Sequence, residues 1–280
     1  MCRCACVCSL CLLVCCAGTG PEQAHIEFSV VDVGQGLAQL VMAEGDAVAF
    51  DMGPADAAPL WRNWYRQVGE PWLVALVLSH SDEDHRGGLG QLDSLARFSG
   101  TVYVNPYEDT AFVRATAGAW RHRVRFVPLV TGDTVGGLDG VRVECLWPPG
   151  GLPVCCPVPP EQRNHLSLVC VVSHGHNRVL LTSDIDTVTM QWLISEVPSQ
   201  ISASMVVVPH HGSASSVDRL FYGWACPRLA VVSCGCNNDY GHPSLQLVDV
   251  LFDLGIPMRT TCEHGTLHAA SNGEYWTVVH

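Results

Sequence analysis

Two histidines and two aspartates stand within six residues, directly after an apolar stretch. Residues 73–78 are apolar and favour β-structure, and the chain continues Ser79, His80, Ser81, Asp82, Glu83, Asp84, His85, Arg86, Gly87, Gly88. This order places the polar side chains on a turn at the exit of a buried strand, where they converge. Such groups are costly to desolvate unless they share one or two divalent cations as ligands. The stretch therefore predicts a metal site, and a solvated acidic turn is the alternative.

Six further blocks of polar residues and glycines follow or precede apolar runs. They are residues 32–36 (Asp-Val-Gly-Gln-Gly), 50–53 (Phe-Asp-Met-Gly), 164–169, 181–184 (Leu-Thr-Ser-Asp), 208–213 (Val-Pro-His-His-Gly-Ser) and 240–243 (Tyr-Gly-His-Pro). In this order the blocks resemble the metallo-β-lactamase superfamily, whose signature is His-x-His-x-Asp-His. Asp82 stands where the second histidine is usual, as in the hydrolase domain of the ComEC/Rec2 DNA-internalisation competence proteins. The resemblance spans about residues 26 to 279.

The resemblance implies an α/β fold, a four-layer αββα sandwich with mixed sheets. The residue pattern agrees, because strand-like and helix-like segments alternate along a chain that is 48% hydrophobic and 15% charged. A hairpin is predicted across residues 44–46, and another across residues 175–177. Helices are predicted at residues 59–68, 89–98, 110–119, 187–196 and 244–254, the last opened by Pro243, and residues 148–160 read as a surface loop.

The resemblance also implies a division of labour among the site residues. His80 and Asp82 serve a first metal, Asp84, His85 and His210 serve a second, and Asp184 bridges the two. Asp84 and His242 are assigned to catalysis, and Asn164, His165, His211 and Ser213 to substrate binding. His165 is also a substitute ligand for the first metal. Asp32 and Asp51 are expected to orient the metal ligands through hydrogen bonds, although for Asp32 a plain turn role is the alternative.

A metal-dependent hydrolase is the function that the resemblance implies. It would be a phosphodiesterase or nuclease acting on DNA through a metal-activated hydroxide, with one or two divalent ions, zinc or manganese, and no nucleotide cofactor. Single-stranded DNA and a membrane DNA-uptake channel are the partners expected. A DNA substrate requires cations near the site, and the arginines considered are Arg86, Arg114, Arg163 and Arg219.

Two observations keep other functions open. A net charge of −12 is unusual for a DNA-binding protein and favours a hydrolase of a small ester, lactone or thioester. Three departures from the family pattern, at Leu37, Ser183 and Cys262, leave a non-catalytic binding module on the same fold as a further alternative.

The first 24 residues differ from the rest. Residues 1–18 are apolar, with Arg3 as the only charge and seven cysteines. This segment is predicted to be a signal peptide or a membrane-anchor remnant, and residues 25–280 the hydrolase domain. An extracytoplasmic location, periplasmic or membrane-anchored, is therefore expected, with a cytoplasmic protein carrying a spurious start as the alternative. The odd total of 15 cysteines argues against a disulfide framework.

Overall fold

A computed structural model describes residues 25–94, 97–107, 124–152, 164–197 and 200–279. These residues form two sheets and six α-helices. The strands are β1 (Ile26–Val30), β2 (Ala38–Ala43), β3 (Asp46–Met52), β4 (Trp72–Leu78), β5 (Thr101–Val104), β6 (Arg125–Pro128), β7 (Thr134–Val135), β8 (Arg142–Trp147), β9 (Val169–His174), β10 (Asn177–Leu181), β11 (Met205–Val207), β12 (Leu229–Val232), β13 (Met258–Thr260), β14 (Leu267–Ser271) and β15 (Trp276–Val279). The helices are α1 (Ala58–Gln67), α2 (Glu83–Arg86), α3 (Thr187–Glu196), α4 (Arg219–Ala225), α5 (Leu245–Asp253) and α6 (Thr261–His264).

Both sheets are mixed and follow the same plan. The first has the order β15-β14-β1-β2-β3-β4-β5-β6, and the second has the order β13-β12-β11-β10-β9-β8-β7. In the first sheet β3, β4, β5 and β6 run parallel, and in the second β10, β11, β12 and β13 do so. The remaining neighbours are antiparallel. Within each sheet the parallel strands therefore end at one edge, where polar residues that follow them can meet.

Three apolar clusters hold the layers together. One lies between the sheets and combines side chains such as Phe28 and Val48 of the first sheet with Val172 and Val207 of the second. The outer face of the first sheet is covered by α1, and the outer face of the second by α3, α4 and α5. The predicted four-layer αββα sandwich is thereby confirmed.

Helix α1 shows how the aromatic residues of the first half are used. Trp61 and Tyr65 are one helical turn apart and buried, and their rings stack with centroids 5.1 Å apart. Residues four apart lie on one face of a helix, so this pair packs together against the first sheet. The predicted helix at residues 59–68 is confirmed.

The helix predicted at residues 89–98 is wrong. The chain forms the short helix α2 at residues 83–86, then a 3-10 segment, Gly87–Ser94. Gly88 packs against the end of β3, where a Cβ would lie 2.3 Å from the Met52 carbonyl oxygen, and Gly87 packs against the segment after β3, where a Cβ would lie 2.3 Å from the Ala55 nitrogen. Two glycines in a row also disfavour an α-helix. The close packing explains both the glycine pair and the early end of α2.

Other predictions are confirmed or corrected at their ends. The two hairpins form as predicted, and the helix at residues 187–196 is confirmed. In α5 the N-cap is Ser244, whose Oγ accepts from the Leu247 N–H, so Pro243 precedes the cap and does not open the first turn. The helix predicted at residues 110–119, residues 1–24 and most of the loop at 148–160 lie outside the described residues.

One disulfide links residues far apart in the chain. Cys236, after β12, is bonded to Cys262 on α6, across a sequence separation of 26. The expectation that the cysteines form no disulfide framework is corrected to that extent. None of the helices among the described residues has the length and apolarity that a membrane crossing requires.

Candidate metal centre

Polar residues from both sheets meet at one edge of the sandwich. His80 follows β4, Asp184 follows β10, and His210 and His211 follow β11. The Asp184 carboxylate lies among four imidazole Nε2 atoms, at 3.1 Å from His85, 3.7 Å from His211, 3.8 Å from His210 and 3.9 Å from His80.

The other two predicted ligands lie at the same place. Asp82 Oδ2 is 3.7 Å from His80 Nε2, and Asp84 Oδ2 is 3.2 Å from His211 Nε2. The six residues that the resemblance assigns to metals are therefore brought together by the fold, with Asp184 central.

Hydrogen bonds on the far side of His80 and His85 fix their tautomers. Asp51 Oδ2 accepts from His85 Nδ1 at 2.7 Å and from Ser79 Oγ at 2.6 Å. Because the Ser79 proton goes to Asp51, Ser79 Oγ accepts from His80 Nδ1 at 3.0 Å. Both rings then carry the proton on Nδ1 and present the Nε2 lone pair to the centre. Asp51 has the orienting contacts expected of it.

His211 is held in the same way and lies deeper than His210. Its Nδ1 donates to the Ser233 carbonyl at 2.9 Å, which leaves the Nε2 lone pair available to a metal ion. His211 is 3% exposed, whereas the His210 side chain is 28% exposed. Among the described residues, the ligand atoms within 4.8 Å of one another form two triads: His80, His85 and Asp184, and Asp84, His85 and His211. His211, assigned to substrate from the sequence, is therefore also a candidate ligand, whereas His210, at 3.8 Å from Asp184, belongs to neither triad.

These donors fit one or two divalent cations. His80 Nε2, His85 Nε2, His211 Nε2 and Asp184 Oδ1 are all buried without a hydrogen-bond partner. Buried polar atoms are normally paired, so four that converge without partners indicate a missing ligand. Imidazole nitrogens with carboxylate oxygens and no thiolate suit zinc or manganese.

The carboxylates of the centre are ionised. Burial opposes ionisation of Asp184, but His85 and His211 hold the pKa of that carboxyl well below its ordinary value. Burial opposes ionisation of Asp84 as well, but its close contact with the His211 ring and the charge of His85 lower the pKa of Asp84 to about 2. His85 responds in the opposite sense: burial disfavours the imidazolium, but Asp184 and Asp51 raise its pKa well above the ordinary value. The ionised carboxylates therefore favour a bound positive charge at the centre.

Four non-glycine residues of the centre have left-handed backbones. The φ angles are 56° at Asp51, 47° at Ser183, 50° at His210 and 54° at His211. Such conformations are uncommon for L-residues and concentrate at functional sites. Ser183 occupies the position where the family pattern has glycine, and its left-handed φ is the conformation that glycine adopts most readily.

The residues around Asn164 lie beside the centre but do not complete it. Asn164 Nδ2 is 3.5 Å from the ring nitrogens of His210. The His165 ring pairs with Asp186, the N-cap of α3, so the structure does not support His165 as a substitute metal ligand. Ser213 caps the following turn and hydrogen-bonds to Ser215 at 2.9 Å.

Asp32 has a local role. Its Oδ1 accepts from the Gly34 N–H at 3.2 Å, and its own N–H donates to Thr266 Oγ1 at 2.9 Å. These are the contacts of a turn former, the alternative weighed for Asp32 from the sequence.

His242 stands on a loop next to the centre. Its ring centroid is 6.0 Å from that of His210 and 6.4 Å from that of His211. Gln35 Nε2 lies 3.4 Å from His242 Nδ1. Burial, and then the neighbouring His211 and His210, lower the pKa of His242, so this imidazole is neutral near pH 7.

Sequence reasoning missed several residues that shape the site. They are Ser79, Ser233, Gln35, Asn238 and Tyr240. Ser79 had a signal in the sequence, because a polar residue that ends a buried strand beside a histidine needs a hydrogen-bond partner. Ser233 acts through its backbone carbonyl, which no side-chain pattern reveals.

Two of the four arginines expected near a DNA site are described, and both bind protein groups. Arg86 Nε donates to the Ser81 carbonyl, and Arg219 Nη1 pairs with Asp253 at 3.0 Å. Arg114 and Arg163 lie outside the described residues.

Comparison with known proteins places the chain among bacterial relatives. It is 29% identical over 232 residues to the uncharacterized protein YcaI of Escherichia coli, covering 80% of this chain and 27% of that protein. It is 28% identical over 243 residues to competence protein ComA of Neisseria gonorrhoeae, covering 85% and 31%, and 26% identical over 263 residues to ComE operon protein 3 of Bacillus subtilis, covering 86% and 32%. The chain thus spans about a third of the length of these relatives. No family model matches it.

Solved structures share the arrangement of layers. The metallo-β-lactamase fold protein YhfI from Bacillus subtilis superposes with a TM-score of 0.57 at 13% identity, over 87% of this chain and 99% of that one. The metallo hydrolase Igni18 from Ignicoccus hospitalis superposes with a TM-score of 0.52 at 13% identity, over 86% and 98%.

Proposed function

The chain has the metallo-β-lactamase fold, and we propose that it is a metal-dependent phosphodiesterase or nuclease of the ComEC type that acts on DNA. The observation that carries the proposal is the convergence of two ligand triads that share His85; Asp184 belongs to the first triad and lies 3.7 Å from His211 of the second. His85 Nε2 has one lone pair and can bind one cation, and the remaining histidines and carboxylates offer donor atoms for a second. Cations bound there would acidify a water molecule and polarise a phosphoryl oxygen.

The chain's own residues orient the groups around that chemistry. Asp51 and Ser79 lock His80 and His85 with their Nε2 atoms inward, and the Ser233 carbonyl does the same for His211. If Gln35 donates to His242 Nδ1, the proton of this neutral imidazole sits on Nε2. His242 is then a hydrogen-bond donor for a substrate oxygen and a proton source for the departing one.

A hydrolase of a small ester, lactone or thioester is the second candidate. The cleft beside the centre is lined by Asp56, Glu83 and Asp84, and among the described residues by no lysine or arginine. A cleft of this charge repels a polyanion and accepts a neutral substrate. A binding module without turnover is less well supported, because the buried unpaired donors and their orienting network are intact.

Location and partners follow from the nuclease proposal. The similarity to competence proteins supports single-stranded DNA as substrate and a membrane DNA-uptake channel as partner. The Cys236–Cys262 disulfide supports an extracytoplasmic site of action, since disulfides persist in oxidising compartments.

The test is metal analysis of the purified chain, followed by hydrolysis assays. We expect bound zinc or manganese, and turnover of bis(p-nitrophenyl) phosphate and of single-stranded DNA. DNA cleavage should fall with added monovalent salt as phosphate contacts are screened. A metal-loaded protein that ignores both phosphodiesters but cleaves p-nitrophenyl acetate or a lactone would transfer the assignment to the second candidate.

Asp184→Asn is the diagnostic variant. The amide removes the negative charge that Asp184 contributes to the centre and leaves the apolar core unchanged, so activity should fall roughly a hundredfold or more, with little loss of thermal stability. His176→Ala is the matched control, because His176 is exposed in the turn at the other end of β10. An Asp184→Asn protein with full metal content and unchanged rate would remove Asp184 from the mechanism.

A further inference from the structure

A cleft of about 800 Å³ adjoins the candidate metal centre. Asp84 belongs to both the cleft and the second ligand triad. Gln35, which contacts His242, also lines the cleft. Any substrate held at the centre therefore has part of its bulk in or next to this cleft.

Two large apolar side chains line the cleft and are exposed. Tyr240 is 72% exposed and Leu60 is 50% exposed. The Tyr240 ring is nearly parallel to that of His242, with centroids 5.5 Å apart and 24° between the planes. Exposed aromatic and aliphatic surface beside a reaction centre is the usual means of binding a flat, apolar part of a ligand.

The loop that carries Tyr240 is held in place. Asn238 Oδ1 accepts from the N–H groups of Tyr240 and His242, at 3.2 and 2.9 Å. Asn238 Nδ2 donates to the carbonyls of Gly235 and His242, at 2.8 and 2.7 Å. The ring is presented by an ordered turn, so stacking on it requires little further ordering of the protein.

The charge of the cleft decides which part of a DNA strand it accepts. Asp56, Glu83 and Asp84 line it, and no arginine or lysine among the described residues does. A second phosphate would be repelled by these carboxylates. A nucleobase is neutral and flat, and its N–H groups can donate to carboxylates.

We propose that this cleft binds one unpaired nucleobase of the substrate, stacked on Tyr240 against Leu60, next to the phosphodiester that is cleaved. The proposal rests on the phosphodiesterase function proposed above and specifies its substrate as a single strand. A base within a duplex is stacked and paired, and it would have to leave the helix to enter the cleft.

The experiment compares two strands on the metal-loaded full chain. One is a short single-stranded oligothymidylate, and the other has the same length and phosphates but abasic sugars. The wild type should show a kcat/KM about tenfold higher for the base-containing strand, the size of one base–aromatic stacking contact. Tyr240→Ala should lose that preference, because the stacking surface for the base is gone. Tyr240→Phe should keep the preference, because the ring remains.

Tyr275→Ala is the matched control, since Tyr275 is also an exposed tyrosine but lies before β15 and does not line the cleft. Its preference should equal that of the wild type. Equal cleavage of both strands by the wild type, or a Tyr240→Ala protein that keeps the preference, would overturn the base-binding cleft and leave the phosphodiesterase function standing. A wild type that cleaves neither strand would overturn both proposals.

Discussion

At the scale of single residues, Asp51 orients the candidate ligands of the centre: it binds His85 directly and His80 through Ser79. Its carboxylate accepts from the backbone N–H and the hydroxyl of Ser79 and from His85 Nδ1. In Asp51→Asn the side-chain NH2 group would face the hydrogen-bond donors of Ser79 and His85. The His85 ring should then rotate or change its tautomer. We expect metal affinity to fall about 10- to 100-fold, measured by competition with a chelator. Asp32→Asn is the control, because the Asp32 carboxylate serves only a local turn; equal affinity losses in both variants would contradict the role of Asp51.

Ser183 tests the left-handed backbone at the same scale. Ser183→Gly should be neutral or raise the free energy of unfolding by up to about 1 kcal/mol, since glycine adopts this φ without a Cβ penalty. Ser183→Val should lower it by about 1–3 kcal/mol, because a β-branched residue is strained there. Urea unfolding of both variants measures the difference. A valine variant as stable as the glycine variant would show that the backbone at 183 carries no strain.

The sequence predicts which residues meet at the strand ends, but it does not decide between His210 and His211. The sequence motif places two adjacent histidines after β11, but strand alternation stops at Val207 and both histidines have positive φ. Which ring points inward is decided by the Ser233 carbonyl from the neighbouring strand, a contact between residues 22 apart. No local pattern contains that information.

At the scale of elements, α2 is positioned by the two glycines that follow it: Gly88 packs on the end of β3, and Gly87 packs on the segment after β3. A Cβ on Gly88 would meet the Met52 carbonyl oxygen at 2.3 Å, whereas nothing lies within 4 Å of a Cβ on Gly90. Gly88→Ala should therefore push α2, with Asp84 and His85, away from the centre. We expect a loss of about 2–4 kcal/mol in the free energy of unfolding together with weaker metal binding. Gly90→Ala, in the same 3-10 segment, should change neither; similar effects in the two variants would refute the packing argument.

The sequence predicted the strands of this fold better than its short helices. Apolar runs such as residues 73–78 and 205–208 become strands because their periodicity and β-branched content agree with the buried sheet. The 3-10 segment after α2 has apolar spacing that looks helical, but the close packing of Gly87 and Gly88 on the end of β3 and the segment after it overrides this spacing. Propensity yields to tertiary contact where an element is only one or two turns long.

At the scale of the whole molecule, the Cys236–Cys262 disulfide joins the segment after β12 to α6, which follows the edge strand β13. The odd cysteine count hid this pair, because pairing depends on which loops the sheet order brings together.

Closing a loop with a sequence separation of 26 restricts the unfolded chain and should stabilise the native state by about 3 kcal/mol. Urea unfolding with and without reductant measures that difference. Cys236→Ser is the matched variant: it should be as stable as the reduced wild type and insensitive to reductant, since the other described cysteines, at 145, 170, 226 and 234, form no disulfide. A wild type whose unfolding midpoint ignores reductant would show that the disulfide adds nothing to global stability.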